Sequence, residues 1–305
     1  WNKDQGNKVL IIDKRDHYGG NCYTENIDGI EVHKYGPHVF HTNSDKIWSY
    51  VNRYTKFNNF TYRPKVLYQG NIYSFPINLM TLYQLWGVKT PEEAKKKIDS
   101  VKIKIENPKN LEEWILSQVG EEIYETFIKG YTIKQWKRDP KLLPSFIIKR
   151  LPIRMTYNDN YFNDRYQGVP IGGYTKMFKK MLIGADLELG VDYFQNKKKY
   201  DKIADKIIFT GKIDEYFGFD EGVLEYRTIK FEHKKMSGDY QGNVAINHTG
   251  MDVPYTRTIE HKHFEYLEKD NTIVTFEYPD EWDQNKIPLY PVNDEVNNSL
   301  YAKYK

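Results

Sequence analysis

Residues 8–21 read KVLIIDKRDHYGGN, and this stretch decides the fold. Lys8 to Asp13 is a short apolar run, rich in β-branched residues and closed by an acid, which predicts a buried parallel strand. In a dinucleotide-binding βαβ unit the second strand ends in Asp or Glu, whose carboxylate accepts hydrogen bonds from ribose hydroxyls. Arg15 follows as a planar cation suited to adenine or phosphate. Gly19, Gly20 and Asn21 come next. Adjacent glycines let backbone N–H groups approach a phosphate with no Cβ in the way. The Gly-rich fingerprint of such a unit belongs about 20 residues before the acid. Only twelve residues precede Asp13, and they hold no GxGxxG. Either the first strand and phosphate loop lie outside this chain, or the stretch is an ordinary strand with a Gly-rich turn.

Composition narrows the class. The 305 residues include 26 Tyr, 15 Phe and 6 Trp, with 45 basic against 42 acidic residues and a net charge of +3. Disorder requires few aromatics and a large net charge, so a folded chain with a sizeable core is expected. The charge is too small and too interspersed for a strong phosphate-backbone binder, so no nucleic acid is expected. Mean hydropathy is −0.75, and no apolar run approaches the ~18 residues of a membrane span. One cysteine, Cys22, excludes an internal disulfide framework and suits a cytoplasmic location.

Further along, EVHKYGPHVFHTN (31–43) sets His38 and His41 three apart after a Gly36-Pro37 turn. They could be metal ligands, although no third partner is near in sequence; they could be structural, or a polar wall of a cofactor pocket. FTYRPKVLYQGNIYSFP (60–76) reads as a hairpin around Gln69-Gly70-Asn71. Asn78, Thr90-Pro91 and Asn110 cap successive helices. In the last of these, Ile115, Val119, Ile123 and Phe127 share one face, and Gly130 is expected to end it. Residues 131–175 are aromatic, basic and rich in Asn, Asp and Gly, suited to loops over a polar cleft. ADKIIFTG (204–211) predicts a buried strand returning to the dinucleotide sheet, and short strands dominate from about 223 to 278.

The strings IIDKRDHYGGNCY, YGPHVFHTN, FIKGYTIKQW, KRLPIR, NYFNDRYQGVPIGGYTKM, VPYTRTIEHKHF and LYPVND occur in this order. Together they resemble bacterial UDP-galactopyranose mutase over essentially the whole chain. The resemblance implies an α/β fold with a FAD-binding Rossmann-like domain (1–58 plus 200–222), a helical-bundle domain with a mobile loop (78–150) and a twisted antiparallel sheet domain (59–77, 151–199 and 223–292). Residues 293–305 would begin a return to the FAD domain. It implies an isomerase that interconverts UDP-galactopyranose and UDP-galactofuranose, in which N5 of reduced FAD attacks the anomeric carbon and UDP leaves and returns. The cofactor then carries the covalent chemistry and the protein supplies orientation and charge.

Residue by residue, the resemblance implies Arg150 and Arg257 as a clamp on the diphosphate. It implies Tyr131 stacking on uracil with Phe127 and Thr132 nearby, and Trp136 on a closing loop. Tyr161 and Tyr290 would bond the diphosphate, with Asn247 and Glu277 further pocket positions. His38 and His41 would lie beside the isoalloxazine, His41 with a catalytic part, and Asp13, Arg15, Gly19, Gly20, Asn21 and Gly211 would hold the cofactor. No metal is expected. Arg154 could be mistaken for Arg150. Cys22 reads as a packing residue. Relatives are often homodimers. This sequence departs from the family in lacking the N-terminal GxGxxG and the segment after YPVND, so a longer flavoenzyme with both ends absent is expected, and Tyr62 stands where a smaller polar residue belongs. The alternatives are a FAD-dependent oxidoreductase of the amine-oxidase type, or a nucleotide-sugar binder without catalysis.

Overall fold

The structure is a computed structural model in which residues 5–149 and 152–305 are described. Thirteen strands occur among them: β1 (Leu10–Asp13), β2 (Thr24–Ile27), β3 (Ile30–His33), β4 (Phe40–Thr42), β5 (Lys65–Tyr68), β6 (Asn71–Ser74), β7 (Tyr166–Gly168), β8 (Asp186–Leu189), β9 (Tyr226–Ser237), β10 (Ala245–His248), β11 (Arg257–Glu260), β12 (Asn271–Glu281) and β13 (Tyr290–Pro291).

The central feature is a seven-stranded sheet in the order β13-β9-β12-β11-β10-β5-β6. Its pairs are antiparallel except β10 with β5, which run parallel. The hairpin β5–β6 forms where expected. Gln69 and Gly70 both take positive φ (48° and 78°), the type I′ geometry that matches strand twist. Register then places Asn247, Arg257, Glu277 and Phe231 opposite one another across β10, β11, β12 and β9. Residues directly opposite point to the same face, so these four form one transverse row.

β1 is parallel to β8, as Lys8–Asp13 predicts, but it is not a buried strand. Leu10 is 37% exposed and the other three are half-buried, because β8 is its one partner among the described residues. The same cause corrects 204–211. That segment is irregular and mostly exposed rather than a buried strand, since β1 and β8 form a pair with no further strand and offer it no ladder. β-propensity in Ile207, Ile208 and Phe209 does not substitute for a neighbour.

The helices follow the caps. Asn78 and Thr90 close full capping boxes, and Asn110 accepts from Glu113 N–H. Ile115, Val119, Ile123 and Phe127 are all at most 3% exposed and pack into one core with the β5–β6 hairpin and the neighbouring helices. Gly130 does not end the helix. A break falls at Gly120, a π-helical turn covers Tyr124–Lys129, and Gly130–Trp136 continues from it. Gly130 is there for closeness: a Cβ would sit 2.2 Å from the Thr249 carbonyl oxygen. A second core joins Phe60, Tyr62, Val169, Tyr174, Met177, Ile259 and Phe264 beneath the sheet, with Cys22 packed against it. Burial raises the Cys22 thiol pKa, which keeps it protonated and unreactive.

Candidate functional site

Arg257 opens β11 and reaches across to Glu277 of β12. Its Nε donates to Glu277 Oε2 at 2.8 Å, and its Nη2 lies 2.8 Å from the same oxygen. Glu277 is 1% exposed, and its other oxygen, Oε1, is buried with no partner. Gly36 packs beside that oxygen. A Cβ there would come within 3.4 Å of Oε1, and the backbone has φ 94°.

Tyrosines surround the pair. Tyr62, Tyr131 and Tyr290 lie within electrostatic reach of Arg257, and Tyr161 within reach of those three tyrosines. Tyr62 is edge-on to Tyr161, centroids 5.4 Å apart, and the Tyr161 N–H donates to the Tyr62 carbonyl at 2.8 Å. Burial pushes the Tyr62 hydroxyl up to about 12 and raises those of Tyr131 and Tyr290. These phenols therefore stay neutral at ordinary pH and can donate. Tyr290 is 44% exposed as a residue, and its hydroxyl feels both Arg257 and Glu277. Burial works to lower the Arg257 pKa, and Glu277 with the tyrosines overrides it, so the guanidinium stays charged. Burial raises the Glu277 pKa, with Arg257 opposing. The arrangement is a cation with one side neutralised, set in a cup of hydroxyl donors. It suits an anionic, oxygen-rich ligand with a flat portion.

Arg257, Glu277, Tyr131, Tyr161 and Tyr290 are thus brought together, with Asn247 opposite Arg257 in the same row. His38 joins them: burial lowers its pKa and Arg257 lowers it further. Its Nδ1 hydrogen-bonds the Gly36 carbonyl at 2.9 Å, as the donor, so the neutral ring leaves Nε2 to accept. His41 stands further off. It stacks on Phe162 at 3.7 Å and pairs with Asp164 at 2.6 Å, and Phe162 in turn stacks on Tyr62. Phe127 is 3% exposed and edge-on to Tyr73, Thr132 is buried, and Trp136 packs on the helical core. None of these three has a described contact with Arg257. Arg150 lies outside the described residues. Arg154 is committed elsewhere, donating to the carbonyls of Asn158 and Asn160 and to Asn163 Oδ1, and so shapes the loop that carries Tyr161. Tyr62 is the site residue that motif reading left out. Its signal was its size at a position where a smaller polar residue belongs.

The second half of the site lies at the end of β1. Asp13 Oδ1 accepts the Arg15 N–H at 3.0 Å, Arg15 Nη2 donates to Asn21 Oδ1 at 2.8 Å, and the guanidinium lies 4.5 Å over the Tyr35 ring. Gly19 and Gly20 both have positive φ, and a Cβ on Gly20 would meet nothing within 4 Å. Arg15 Nη1 is buried with no partner. A planar cation with a free donor, an acid at a strand end and an open glycine backbone fit the adenosine and phosphate of a dinucleotide. Tyr35 and His38 are three residues apart in one loop, so that loop joins the two halves. Gly211 belongs to the irregular 204–211 segment, and no described contact links it to Asp13 or Gly20.

Among the described residues, one cluster could hold a metal: Asp239, Glu260 and His263. Its charge is already matched within the protein. Lys262 Nζ lies 2.9 Å from Asp239, and the N–H groups of Tyr240, Gln241 and Gly242 occupy the Glu260 carboxylate.

The family described as UDP-galactopyranose mutase matches residues 126–305, and the one described as NAD(P)-binding Rossmann-like domain matches residues 2–54. A dTDP-fucopyranose mutase of Escherichia coli is 40% identical over 309 residues, spanning 98% of this chain and 82% of the relative. A probable UDP-galactopyranose mutase of Klebsiella pneumoniae is 39% identical over 306 residues, spanning 99% and 79%. A solved structure of reduced UDP-galactopyranose mutase superposes with a TM-score of 0.58 at 15% identity, over 92% of this chain and 70% of that one. A putrescine oxidase superposes at 0.51 with 12% identity over 92% and 72%, a likeness of fold alone.

Proposed function

The chain belongs to the UDP-galactopyranose mutase family, and from that premise we propose that it interconverts the pyranose and furanose forms of UDP-galactose with FAD as its cofactor. The observation that carries this reading is Arg257 held against Glu277 within a ring of neutral tyrosines. A nucleoside diphosphate leaving a sugar gains charge on its phosphate oxygens, and a guanidinium with donors still free stabilises that charge as it develops. The hydroxyls of Tyr161 and Tyr290 add donors on the same side. The flat ring of Tyr131 offers a stacking face for uracil. Asp13, Arg15, Gly19, Gly20 and Asn21 would hold the adenosine and phosphates of FAD, and His38 would line the flavin end. When bound and reduced, FAD supplies the nucleophile for the anomeric carbon. The protein's work is to orient the sugar, carry the phosphate charge and exclude water.

The test supplies the purified protein with FAD, dithionite and UDP-galactofuranose and follows UDP-galactopyranose by chromatography. Absence of product under reducing conditions overturns the reading. The 40% identity to a dTDP-fucopyranose mutase favours one second reading, the same ring isomerisation on a dTDP-linked 6-deoxy sugar. A higher kcat/KM for dTDP-fucofuranose in the same assay would select it. Among the described residues no helix is long and apolar enough to cross a membrane.

A further inference from the structure

We infer that Lys134 is a positioning residue, tying the helix that carries Tyr131 to the loop that delivers Arg257. The inference rests on the UDP-sugar reading above. Lys134 is 5% exposed. Its Nζ donates to the carbonyls of His248 at 2.7 Å, Tyr255 at 2.9 Å and Val253 at 3.2 Å. Three N–H groups meet three carbonyls, and no carboxylate bonds directly to the ammonium. His248 ends β10, whereas Val253 and Tyr255 lie on the approach to Arg257. One ammonium therefore clasps both ends of the loop that joins β10 to β11.

Two further contacts close the same seam. The Thr249 carbonyl occupies the space a side chain at Gly130 would fill, and Thr249 Oγ1 donates to the Thr126 carbonyl at 2.6 Å. On the helix side, Tyr131 and Lys134 are three residues apart within Gly130–Trp136 and so are neighbours on its surface. Moving Lys134 moves Tyr131, and moving the loop moves Arg257.

A buried lysine is costly unless every N–H is paired. The strain on the ammonium shows in a pKa lowered to about 8, through burial first, with Lys137 acting the same way and Asp252 opposing. A packing role alone would be met by Met or Leu at no such cost. What apolar residues cannot do is hold three carbonyls of one loop at a single point, and that requirement accounts for an ammonium here.

The test is UDP binding by titration calorimetry on the whole chain, in a double-mutant cycle. Lys134→Met should raise the UDP dissociation constant about tenfold in the native background and less than about twofold beside Arg257→Lys, because the coupled groups already fail together. Native affinity in Lys134→Met, or a full tenfold loss in both backgrounds, overturns the inference. Lys134→Gln, which keeps two donors, is read the same way should the Met variant fail to fold. Absence of UDP binding by the native chain counts against the function, and the coupling is then read from amide hydrogen exchange. Faster exchange in Lys134→Met across both Thr249–Arg257 and Gly130–Trp136 supports it; a change confined to one segment, or none, overturns it.

Discussion

Arg257 donates from Nε to a single oxygen of Glu277 at 2.8 Å, holds Nη2 2.8 Å from the same oxygen, and leaves Glu277 Oε1 buried with no partner. The pair is thus anchored but not saturated. Removing the cation strands a carboxylate that is 1% exposed. Arg257→Ala should therefore destabilise the fold by about 3–5 kcal/mol, the usual cost of leaving one partner of a buried ion pair. Glu277→Gln keeps the shape and an acceptor for Arg257 and should cost distinctly less. Urea denaturation of the two variants checks this, and equal losses would contradict it.

Tyr62 is the second side chain that decides where Arg257 points. Tyr62→Phe deletes the buried hydroxyl beside Arg257 and keeps the ring edge-on to Tyr161. The loss is a polar neighbour of a buried guanidinium, about 1–3 kcal/mol, and it falls on placement of the guanidinium rather than on packing. UDP should bind roughly ten- to a hundredfold more weakly while Tm moves little. A large drop in Tm with unchanged affinity would mark Tyr62 as a core residue only.

These two residues also show what can be read in a sequence and what cannot. Asp13 at the end of an apolar run announced a parallel strand, and β1 with β8 is one. Its exposure was not legible, because burial depends on partners and not on the run itself. Ile207 and Ile208 carry the same composition as Ile11 and Ile12, yet they form no strand, since no ladder is there to join. Gly130 looked like a stop because glycine usually is one at a helix end. Its reason is tertiary, the Thr249 carbonyl approaching from a loop more than a hundred residues away in sequence. Arg257 and Glu277 were legible through family motifs, but their register on β11 and β12 was not. Tyr62 belongs to no motif and to no strand, and enters the site through packing against Tyr161 and the field of Arg257.

Gly130→Ala offers a direct measure of that approach. Alanine is favoured over glycine inside a helix by about 1 kcal/mol, so an isolated helix would gain. Here the added Cβ would lie 2.2 Å from a backbone oxygen, and backbone cannot swing aside as a long side chain can. Overpacking of this kind costs about 1–3 kcal/mol or more, so the clash should outweigh the propensity. A lower Tm than the native chain, with reduced UDP affinity, is expected. A higher Tm would mean that the helix and the Thr249 loop are not in contact.

Acid should unfold this protein early, and the reason is a set of buried neutral histidines around the central sheet. Burial lowers His33 to about 3, and His233 and His248 to about 4. The neighbouring His261 is pushed down as well, by burial first. The hydrogen bonds of His33, His233 and His261 require the neutral form, His33 Nδ1 accepting the His38 N–H. His261 Nδ1 accepts the His33 N–H at 3.2 Å, so its Nε2 donates to Thr275 Oγ1 at 2.6 Å, and Thr275 is left to donate to His233 Nδ1 at 2.6 Å. In the unfolded chain each ring titrates near 6.5. Below that pH the unfolded state binds protons that the folded state refuses. The stability is therefore complete above about 6.5 and is lost as pH falls from 6.5 toward 4. At pH 5 the loss is about 2 kcal/mol for each such histidine, from 1.36 kcal/mol per pH unit. The carboxylates of Glu265 and Glu277, whose pKa values burial raises, act in the opposite sense as pH falls, so a net fall in this window belongs to the histidines. Denaturant unfolding at pH 7.5, 6 and 5 measures it, and His33→Gln should flatten the dependence. Equal stability at pH 7.5 and 5 in the native chain would show that these rings are solvated.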